Sequence, residues 1–360
     1  MASLMNKIIA TNKPQISPWI RELLLRAENK HGVDSSEYRG IYNQYFVIPD
    51  SVGLPMERAR HFHAEVDEKT SGGLERFYRR VAVVDLVSTC AAECSYCVRG
   101  YYSKFAMNQD GMSAIVNQIA QDRYLKEILI TGGDPLIAPQ KMKFLITAIA
   151  ENAPNIRYIR IGTRLPVQAP DRIDASLTGF FAKLPETLSV EMACQINHPY
   201  ELQDKVKDIL KSFQDAGVSL YSQNVLLKGV NDNIGVLFDL YDELRYLKIP
   251  PHYLFHAVPI KGSARFRTSV ARGLELARTI STSGLLSGRA KPQFTVLTDV
   301  GKINLYEGSI LSQEAGYLRL KSSYRLADRL QWNPAYKLPE SAYELDDGTL
   351  AVDYLDGTDD

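Results

Sequence analysis

The sequence lacks several features that mark common classes of protein. It has four cysteines in 360 residues, too few for the disulfide framework of a small secreted domain. Its 42 basic and 42 acidic residues cancel, so we expect no general nucleic-acid surface. No stretch approaches the roughly 20 apolar residues of a membrane span, and the first residues lack the apolar run of a signal peptide. These absences predict a soluble, cytoplasmic protein with no nucleic-acid or membrane partner.

Three of the four cysteines lie close together. Cys90, Cys94 and Cys97 follow the spacing C-x3-C-x2-C. Three thiolates can hold three irons of a [4Fe–4S] cluster and leave the fourth iron open, whereas ferredoxin-type carriers use four thiolates per cluster. Because an open iron can bind a substrate or a cofactor, the spacing indicates a catalytic metal site rather than an electron store.

Zinc binding and inert thiols are the alternatives for this loop. A structural zinc site needs four nitrogen or sulfur ligands. The chain has no second C-x2-C pair, and its six histidines show no paired spacing that would complete such a site. Three reduced cysteines without a role would have to fall in one short loop by chance. An iron–sulfur cluster is therefore the favoured interpretation.

Strands and helices alternate along most of the chain. Between residues 80 and 285, β-branched runs are each followed by a helical stretch. This alternation predicts an α/β fold with a parallel sheet covered by helices, and about six βα units fit the segment. We therefore predict a partial (βα)6 barrel, TIM-like but not closed. The distinctive loops all follow predicted strands, and active sites of such barrels lie at the carboxyl ends of the strands.

Other segments are predicted to flank this barrel. Residues 1–75 read as a mostly helical N-terminal region, in which Ser17 precedes a proline and has the residue type of a helix N-cap. Residues 76–285 would form the barrel, and residues 286–325 a β-rich segment that closes the site. Residues 326–360 are rich in aspartate and are predicted to be a peripheral, partly disordered acidic tail.

Several motifs occur in a fixed order along the chain. An aromatic residue, Tyr96, precedes the last cysteine of the loop. After it come TGGDPL from Thr131, RIGTRLPV from Arg160, NHP from Asn197, QNVLLKGVND from Gln223 and FRT from Phe266. With these motifs the chain resembles the lysine 2,3-aminomutase family of the radical S-adenosylmethionine (SAM) superfamily. The ordered set is specific, whereas an isolated GGDP would carry little weight.

The resemblance implies a binding site for SAM. In this family the open iron chelates the amino and carboxylate groups of SAM, and reductive cleavage then gives a 5′-deoxyadenosyl radical. A glycine pair after a strand lets the backbone approach a ligand closely. Asp134 could equally anchor its own loop, and Gln223 could satisfy buried backbone groups. The implied cofactor-binding positions are Tyr96 near the adenine, Gln223 near the ribose, and Gly132, Gly133, Asp134 and Thr163 at strand ends.

The family also uses pyridoxal 5′-phosphate (PLP), which requires a lysine for its aldehyde and arginines for its phosphate. Lys302 aligns with that catalytic lysine, and an amine is the group that forms an imine. Arg76 and Arg80 match the phosphate-binding pair, since guanidinium groups suit phosphate geometry. Arg99 matches the arginine that binds the substrate carboxylate. For each of these residues the alternative is a solvated surface charge.

The expected substrate pocket departs from the pattern of lysine-specific enzymes. Those enzymes place two aspartates around the distal ammonium group of the substrate, and the aligned residues here are Val258 and Leu297. A buried ammonium without a counter-charge costs several kcal/mol. We therefore expect a substrate with an uncharged side chain. Asp299 could substitute for the missing carboxylates, because the turn that contains it is shorter than in the family.

The resemblance implies an isomerase: a radical SAM, PLP-dependent 2,3-aminomutase that converts an L-α-amino acid into a β-amino acid. It further implies a flavodoxin- or ferredoxin-type electron donor and a homo-oligomeric state. Two alternatives stay open. One is a PLP-independent radical SAM enzyme that dehydrogenates, epimerises or decarboxylates a small molecule. The other is a non-catalytic iron–sulfur protein.

Overall fold

A computed structural model gives the structure of the protein. The described residues are 15–46, 73–76, 78–99, 105–260 and 262–359. Much of the predicted helical N-terminal region therefore lies outside the described residues. Within the described part, no helix is long and apolar enough to cross a lipid bilayer.

A nine-stranded sheet forms the main body, and its strands follow one another across the sheet in chain order. The strands are β1 (Leu74–Glu75), β2 (Val81–Val87), β3 (Glu127–Gly132), β4 (Tyr158–Thr163), β5 (Ser189–Gln195), β6 (Ser219–Leu226), β7 (Pro251–His256), β8 (Gln293–Thr298) and β9 (Gly301–Asn304). Strands β2 to β8 are parallel, and β1 and β9 run antiparallel to their neighbours at the two edges. Sequential parallel strands are the arrangement of an α/β barrel, so the predicted partial barrel is confirmed.

Of the described helices, two precede the barrel, the next seven connect its strands, and the last lies in the C-terminal region. They are α1 (Pro18–His31), α2 (Ser36–Tyr45), α3 (Gln109–Gln121), α4 (Pro139–Asn152), α5 (Leu165–Gln168), α6 (Ala175–Phe181), α7 (Asp204–Asp215), α8 (Ile234–Tyr246), α9 (Val270–Thr282) and α10 (Leu326–Leu330). Burial alternates along the strands. In β3, Ile128 and Ile130 are fully buried in the apolar core, whereas Thr131 on the opposite face lines a cavity. The main core thus lies on one face of the sheet, and the other face is left for function.

Two serines cap the N-terminal helices. The Ser17 Oγ accepts a hydrogen bond from the Ile20 backbone N–H at 3.1 Å, so the cap predicted from the sequence is confirmed. Ser35 caps α2 in the same way through the Tyr38 N–H, also at 3.1 Å. Such caps satisfy backbone donors that have no partner in the first helical turn. Residues 15–46 are mostly helical, whereas residues 74–75 form the edge strand β1.

The C-terminal region forms a second, antiparallel sheet in the order β10-β11-β13-β12. Its strands are β10 (Ile310–Glu314), β11 (Tyr317–Arg325), β12 (Ala342–Glu344) and β13 (Thr349–Leu355). The prediction of a partly disordered tail over residues 326–360 is wrong, because β13 lies inside this sheet. Leu350 and Val352 are fully buried. The Asp356 side chain accepts a hydrogen bond from the Val270 N–H at 2.8 Å. This acidic residue therefore links the C-terminal region to the start of α9.

Candidate active site at the carboxyl ends of the barrel strands

A cavity of about 260 Å³ lies at the carboxyl ends of the parallel strands. Its wall combines the loop after β2 with the ends of β3 to β8, so distant parts of the sequence meet there. Most of the positions predicted from the sequence line this wall: Cys90, Cys94, Tyr96, Cys97, Arg99, Gly132, Gly133, Asp134, Thr163, Gln223, Val258 and Leu297. The predicted positions outside the wall are Arg76, Arg80 and Lys302.

The loop with the three cysteines is held in place by the N-terminal region. The Gln15 side chain donates to the carbonyl oxygen of Cys90 at 3.0 Å. The Glu93 N–H donates to the Gln15 carbonyl oxygen at 2.8 Å, and the Ser95 N–H donates to the carbonyl oxygen of Gln44 in α2 at 2.9 Å. The N-terminal helices are therefore part of the support of this site.

The three thiols are partly buried and influence one another electrostatically. Burial raises the pKa of Cys97 to about 11, and the negative charge of Cys94 adds to that rise. Burial, with Asp134 and the other two cysteines, raises the pKa of Cys90 above its usual range. The remaining cysteine, Cys194, lies in β5 outside the cavity wall, and burial raises its pKa to about 12. Three thiols, not four, are therefore presented to the cavity by the described residues.

The three thiols line one cavity, and a cluster would bind them differently from a single ion. Within the described ranges, no three histidine, cysteine or acidic side chains are grouped closely enough to hold one metal ion. A four-iron cluster is larger and binds each thiolate at a separate iron. The thiols share one cavity with room beside them, which suits such a cluster.

Cys94 differs from its neighbours in its hydrogen-bond donors. The Arg164 Nη1 donates to the Cys94 Sγ at 2.8 Å, and the Gln168 Nε2 lies 3.4 Å from the same sulfur. Arg164 follows β4, and Gln168 ends the short helix α5. Both donors are buried in the wall of the cavity. The sequence-based prediction gave these two residues no role, although Arg164 lies within the RIGTRLPV motif that it singled out and Gln168 follows that motif directly.

The glycine pair after β3 packs against the start of the cysteine loop. A Cβ on Gly132 would collide with the carbonyl oxygen of Val87, and a Cβ on Gly133 with the backbone of Thr89. The Asp134 N–H also donates to the Thr89 carbonyl oxygen at 2.8 Å. The absence of side chains therefore lets β3 approach the cysteine loop, and both glycines still line the cavity.

Asp134 anchors the loops around it. Its carboxylate accepts hydrogen bonds from the Thr163 hydroxyl at 2.8 Å and from the backbone N–H groups of Arg164 and Leu165 at 2.8 and 2.9 Å. Burial raises its pKa, and these hydrogen bonds act in the opposite direction. The carboxylate thus joins the ends of β3 and β4, which is the anchoring role considered for it.

Tyr96 and Gln223 both line the cavity wall. Tyr96 is buried, packs edge-on against Phe266 at a centroid distance of 5.8 Å, and accepts a hydrogen bond from the Asn197 side chain at 2.6 Å. Gln223 projects from β6 into the cavity. Their contacts to the adenine and the ribose of SAM stay predictions.

Arg99 lies in the wall but has a protein partner. It forms an ion pair with Asp85 of β2, whose side chain is buried. The role predicted for Arg99, binding a substrate carboxylate, would require this arginine to bind both anions through its several donors. That role stays a prediction.

Lys302 lies on the same face of the sheet as the cavity, next to its wall. It pairs with Leu297 across β8 and β9, and directly opposed residues of an antiparallel pair project to the same face. Its Nζ lies 4.8 Å from the ring centroid of Tyr253 and 5.4 Å from that of Phe255. Burial, with a smaller contribution from Arg160, lowers the pKa of Lys302 to about 8. The amine is therefore poised for nucleophilic chemistry near neutral pH.

The two arginines predicted to bind phosphate do not converge on this amine. Arg76 forms an ion pair with Asp122 and stacks over the ring of Trp332, 5.0 Å from its centroid. Arg80 is exposed at the amino end of β2. A different arginine, Arg160 of β4, lies on the same face as Lys302. It is paired with Glu127, and its buried Nε has no hydrogen-bond partner.

The predicted substrate positions make one side of the cavity apolar. Val258 and Leu297 both line it. Asp299, considered as a substitute carboxylate, instead accepts a hydrogen bond from the Ser341 hydroxyl and is not part of the wall. The carboxylate that does line the cavity in the described part, Asp134, is fully engaged with protein donors.

A comparison with known families identifies the domain that contains this site. Residues 84–240 match the model of the radical SAM superfamily. This segment is therefore similar to radical SAM domains. It contains the cysteine loop and the strands from β3 to β6, which supply most of the cavity wall. Members of this superfamily bind a [4Fe–4S] cluster and SAM, and the three thiols and the adjoining cavity fit both groups.

Curated proteins similar to this chain include aminomutases. The chain is 32% identical over 238 residues to a putative L-lysine 2,3-aminomutase of Aquifex aeolicus, covering 64% of this chain and 62% of that protein. It is 31% identical over 224 residues to L-lysine 2,3-aminomutase of Escherichia coli, covering 61% and 64%. It is 27% identical over 275 residues to glutamate 2,3-aminomutase of Clostridioides difficile, covering 74% and 63%. The chain thus spans less than two thirds of each of these relatives.

Two solved structures show a limited similarity to this chain. One is Streptococcus suis SuiB bound to S-adenosylmethionine, with a TM-score of 0.48, 16% identity, and coverage of 61% of this chain and 50% of that chain. Another is native anSMEcpe with bound AdoMet, with a TM-score of 0.45 and 13% identity, covering 55% and 58%.

Proposed function

We propose that the chain is a radical SAM aminomutase that moves the amino group of an amino acid between neighbouring carbons. The observation that carries this proposal is the convergence of Cys90, Cys94 and Cys97 on one cavity beside a desolvated lysine, Lys302. The similarity to lysine and glutamate 2,3-aminomutases supports the same reaction class. The enzyme would be an isomerase that yields a β-amino acid.

The protein would position the cofactors rather than carry out the hard chemistry itself. The three cysteines would hold the cluster, and Tyr96 and Gln223 would bind the SAM nucleoside. Gly132 and Gly133, which let the cysteine loop pack closely against β3, would present backbone groups to the SAM amino group. When bound, SAM would supply a radical that abstracts hydrogen, and PLP would supply a conjugated system that spreads an unpaired electron. The cavity walls would keep water away from these reactive species.

Lys302 would hold PLP through its neutral amine. The lysine is half-buried beside two aromatic rings and has a lowered pKa, and both features favour an amine that reacts with an aldehyde. Its strand partner Leu297 lines the cavity, so a cofactor bound there would adjoin the cluster site. Arg160, with its unpartnered buried Nε, fits a phosphate contact better than the exposed Arg80.

We propose that the substrate has an uncharged side chain. Val258 and Leu297 form an apolar wall where a cationic side chain would need a carboxylate. Asp134 has its acceptors occupied, and Asp299 is turned to Ser341. A buried ammonium without a counter-charge costs several kcal/mol. A lysine substrate would therefore be rejected. The required electron would come from a flavodoxin- or ferredoxin-type donor, and we expect a homo-oligomer.

Anaerobic reconstitution tests the proposed function. Protein treated with iron and sulfide should bind four irons per chain, and reduction with SAM should release 5′-deoxyadenosine. With PLP and a pool of amino acids, chromatography should detect the β-isomer of an uncharged amino acid. Cys97→Ser should abolish cluster formation, whereas the control Cys194→Ser should retain it, because Cys194 lies outside the cavity wall. A four-iron cluster that cleaves no SAM would contradict the proposal.

A second candidate is a radical SAM enzyme that does not use PLP. The two arginines predicted to bind phosphate favour this candidate. Arg76 forms an ion pair with Asp122, and Arg80 is exposed at the amino end of β2, so neither is placed as a phosphate contact beside Lys302. Visible absorbance after addition of PLP separates the two candidates. PLP bound to Lys302 should absorb as an imine, and Lys302→Ala should remove that band. Product formation that persists in Lys302→Ala would favour the second candidate.

A further inference from the structure

A buried arginine adjoins the cysteine loop in a way that the proposed function does not by itself explain. Arg164 is 6% exposed. Its Nη1 donates to the Cys94 Sγ at 2.8 Å and to the Tyr96 hydroxyl oxygen. Its Nη2 donates to the Gln44 Oε1 at 2.8 Å and to the Glu201 Oε1 at 2.5 Å. One guanidinium thus joins the cysteine loop to α2 and to the loop after β5.

The arginine is fixed by a buried counter-charge. Glu201 has no exposed surface, and its second oxygen accepts from the backbone N–H groups of Asn197 and His198 at 2.6 and 3.0 Å. Both carboxylate oxygens of Glu201 are thus engaged, whereas the Arg164 Nε has no hydrogen-bond partner among the described residues. Because Glu201 is held by the backbone, the guanidinium is held against Cys94 and cannot turn away into solvent.

A hydrogen bond to a cluster thiolate has an electronic effect. Reduction adds negative charge to the cluster and its thiolates, so a donor to sulfur stabilises the reduced form and raises the reduction potential. Arg164 offers a charge-assisted donor, which is stronger than a neutral one. Gln168 adds a weaker, neutral donor to the same sulfur at 3.4 Å. Both donors act on Cys94, so their effect on the potential would be concentrated at the iron that Cys94 binds.

We propose that Arg164 is a positioning residue that orients the Cys94 thiolate and raises the reduction potential of the cluster, with Gln168 in a lesser role of the same kind. This inference rests on the proposed cluster at Cys90, Cys94 and Cys97. It assigns the N-terminal helices a part in electron uptake, because Gln44 of α2 holds one end of the guanidinium. A raised potential would let a weaker reductant deliver the electron.

The test is an EPR-monitored redox titration of the reconstituted cluster without SAM. The main variant is the double change Arg164→Gln with Glu201→Gln, which avoids leaving Glu201 charged and unpaired. Gln168→Leu removes the second donor without touching the ion pair. Arg172→Gln, on the exposed surface beyond α5, is the control for a lost positive charge. Iron content is measured for every variant.

We expect the double variant to bind four irons and to have a more negative potential. A tenfold weakening of one-electron reduction corresponds to about 59 mV. Gln168→Leu should shift the potential in the same direction by less, and Arg172→Gln should match wild type. If the double variant fails to fold, Gln168→Leu decides, and an unshifted potential in it overturns the inference.

The result separates this inference from the proposed function. An iron-loaded double variant with the wild-type potential would leave Arg164 a purely structural role, and would overturn the inference while the proposed cluster stands. Wild-type protein that binds no four-iron cluster would overturn both. A lower stability with an unchanged potential would likewise count against a role in tuning the cluster.

Discussion

At the scale of the residue, burial sets the chemistry of Lys302. Desolvation penalises its charged form, the nearby Arg160 adds to that effect, and Glu127 opposes it. The pKa therefore falls from an ordinary value of 10.5 to about 8. Between about pH 8 and pH 10.5, Lys302 is more often protonated in the unfolded chain than in the folded chain. The free energy of unfolding therefore increases as the pH rises through this range. The free amine is also available at a lower pH than in an exposed lysine.

We predict that PLP reacts with Lys302 in step with this titration. Apo-protein incubated with PLP at a series of pH values and then reduced with borohydride should carry the label on the Lys302 peptide. The yield should rise with pH and reach half its maximum near pH 8, because the neutral amine is the nucleophile. Peptide mass mapping measures the yield, with Lys302→Gln as the blank. Labelling of Lys302 that begins only above pH 10 would show that the amine is solvated.

At the scale of the element, the short N-terminal helices are held to the barrel by polar groups at their ends. Ser17 caps α1 and its hydroxyl also donates to the carbonyl oxygen of Gln168 in α5. Gln44 in the last turn of α2 accepts from Arg164 and receives the Ser95 N–H on its carbonyl oxygen. These contacts link the helices to the cysteine loop and to its two sulfur donors.

The caps Ser17 and Ser35 form a matched pair for measurement. Ser17→Ala removes the helix cap and also leaves the buried Gln168 carbonyl without its donor, so we expect a loss of about 2 kcal/mol or more. Ser35→Ala removes a cap of the same geometry whose other contact, to Gly32, is exposed, and should cost about 1 kcal/mol. Urea unfolding measures both losses. Equal losses would mean that the Ser17–Gln168 bond adds nothing.

The strand order and the tail show where reasoning from sequence succeeds and fails. The β-branched runs predicted β2 to β7 because each is a short buried strand followed by a helix. In the tail, aspartates dominated the prediction and hid the alternation of Leu350, Val352 and Tyr354, which is the pattern of a strand with one buried face. Local composition was the wrong guide, because tertiary contacts decide whether an acidic segment is ordered.

Some features of the candidate site could be predicted from the sequence, and others could not. The cysteine spacing and the glycine pair were readable because loop chemistry is local in sequence. The pairing of Arg99 with Asp85 and the contact of Arg164 with Cys94 depend on how strands align, which no single segment encodes. The sequence therefore identified the wall of the cavity but not the hydrogen bonds that tune it.

At the scale of the whole molecule, the C-terminal sheet is bound to the barrel through a few buried polar groups. Arg267 is fully buried and donates to the carbonyl oxygens of Leu355 at 2.5 Å, Asp356 at 2.9 Å and Ala257 at 2.8 Å. His256, at the end of β7, pairs with the Tyr354 hydroxyl at 2.7 Å. The last strand thus completes the hydrogen bonds of a charged residue next to the cavity.

Removal of residues 341–360 should therefore destabilise the barrel as well as the second sheet. This truncation would remove two of the carbonyl acceptors of the buried Arg267, which should lower the free energy of unfolding by several kcal/mol. It would also expose the edge of β11. We expect a lower Tm and aggregation in thermal unfolding followed by circular dichroism and light scattering. Removal of residues 358–360 alone, which loses the contacts of Asp359 with Ser269, should have a small effect. A truncated chain with an unchanged Tm would disprove this coupling.

The positions of the hydrogen-bond acceptors of Arg164 along the sequence constrain the order in which parts of the chain fold. They lie on residues 37 to 120 positions away along the sequence, from Glu201 on one side to Gln44 on the other. Contacts of such long sequence separation close late, because loop-closure entropy has to be overcome first. The cysteine loop should consequently become ordered only after α2, β4 and the loop after β5 have assembled, so any iron-delivering chaperone would meet a nearly complete fold rather than a nascent segment.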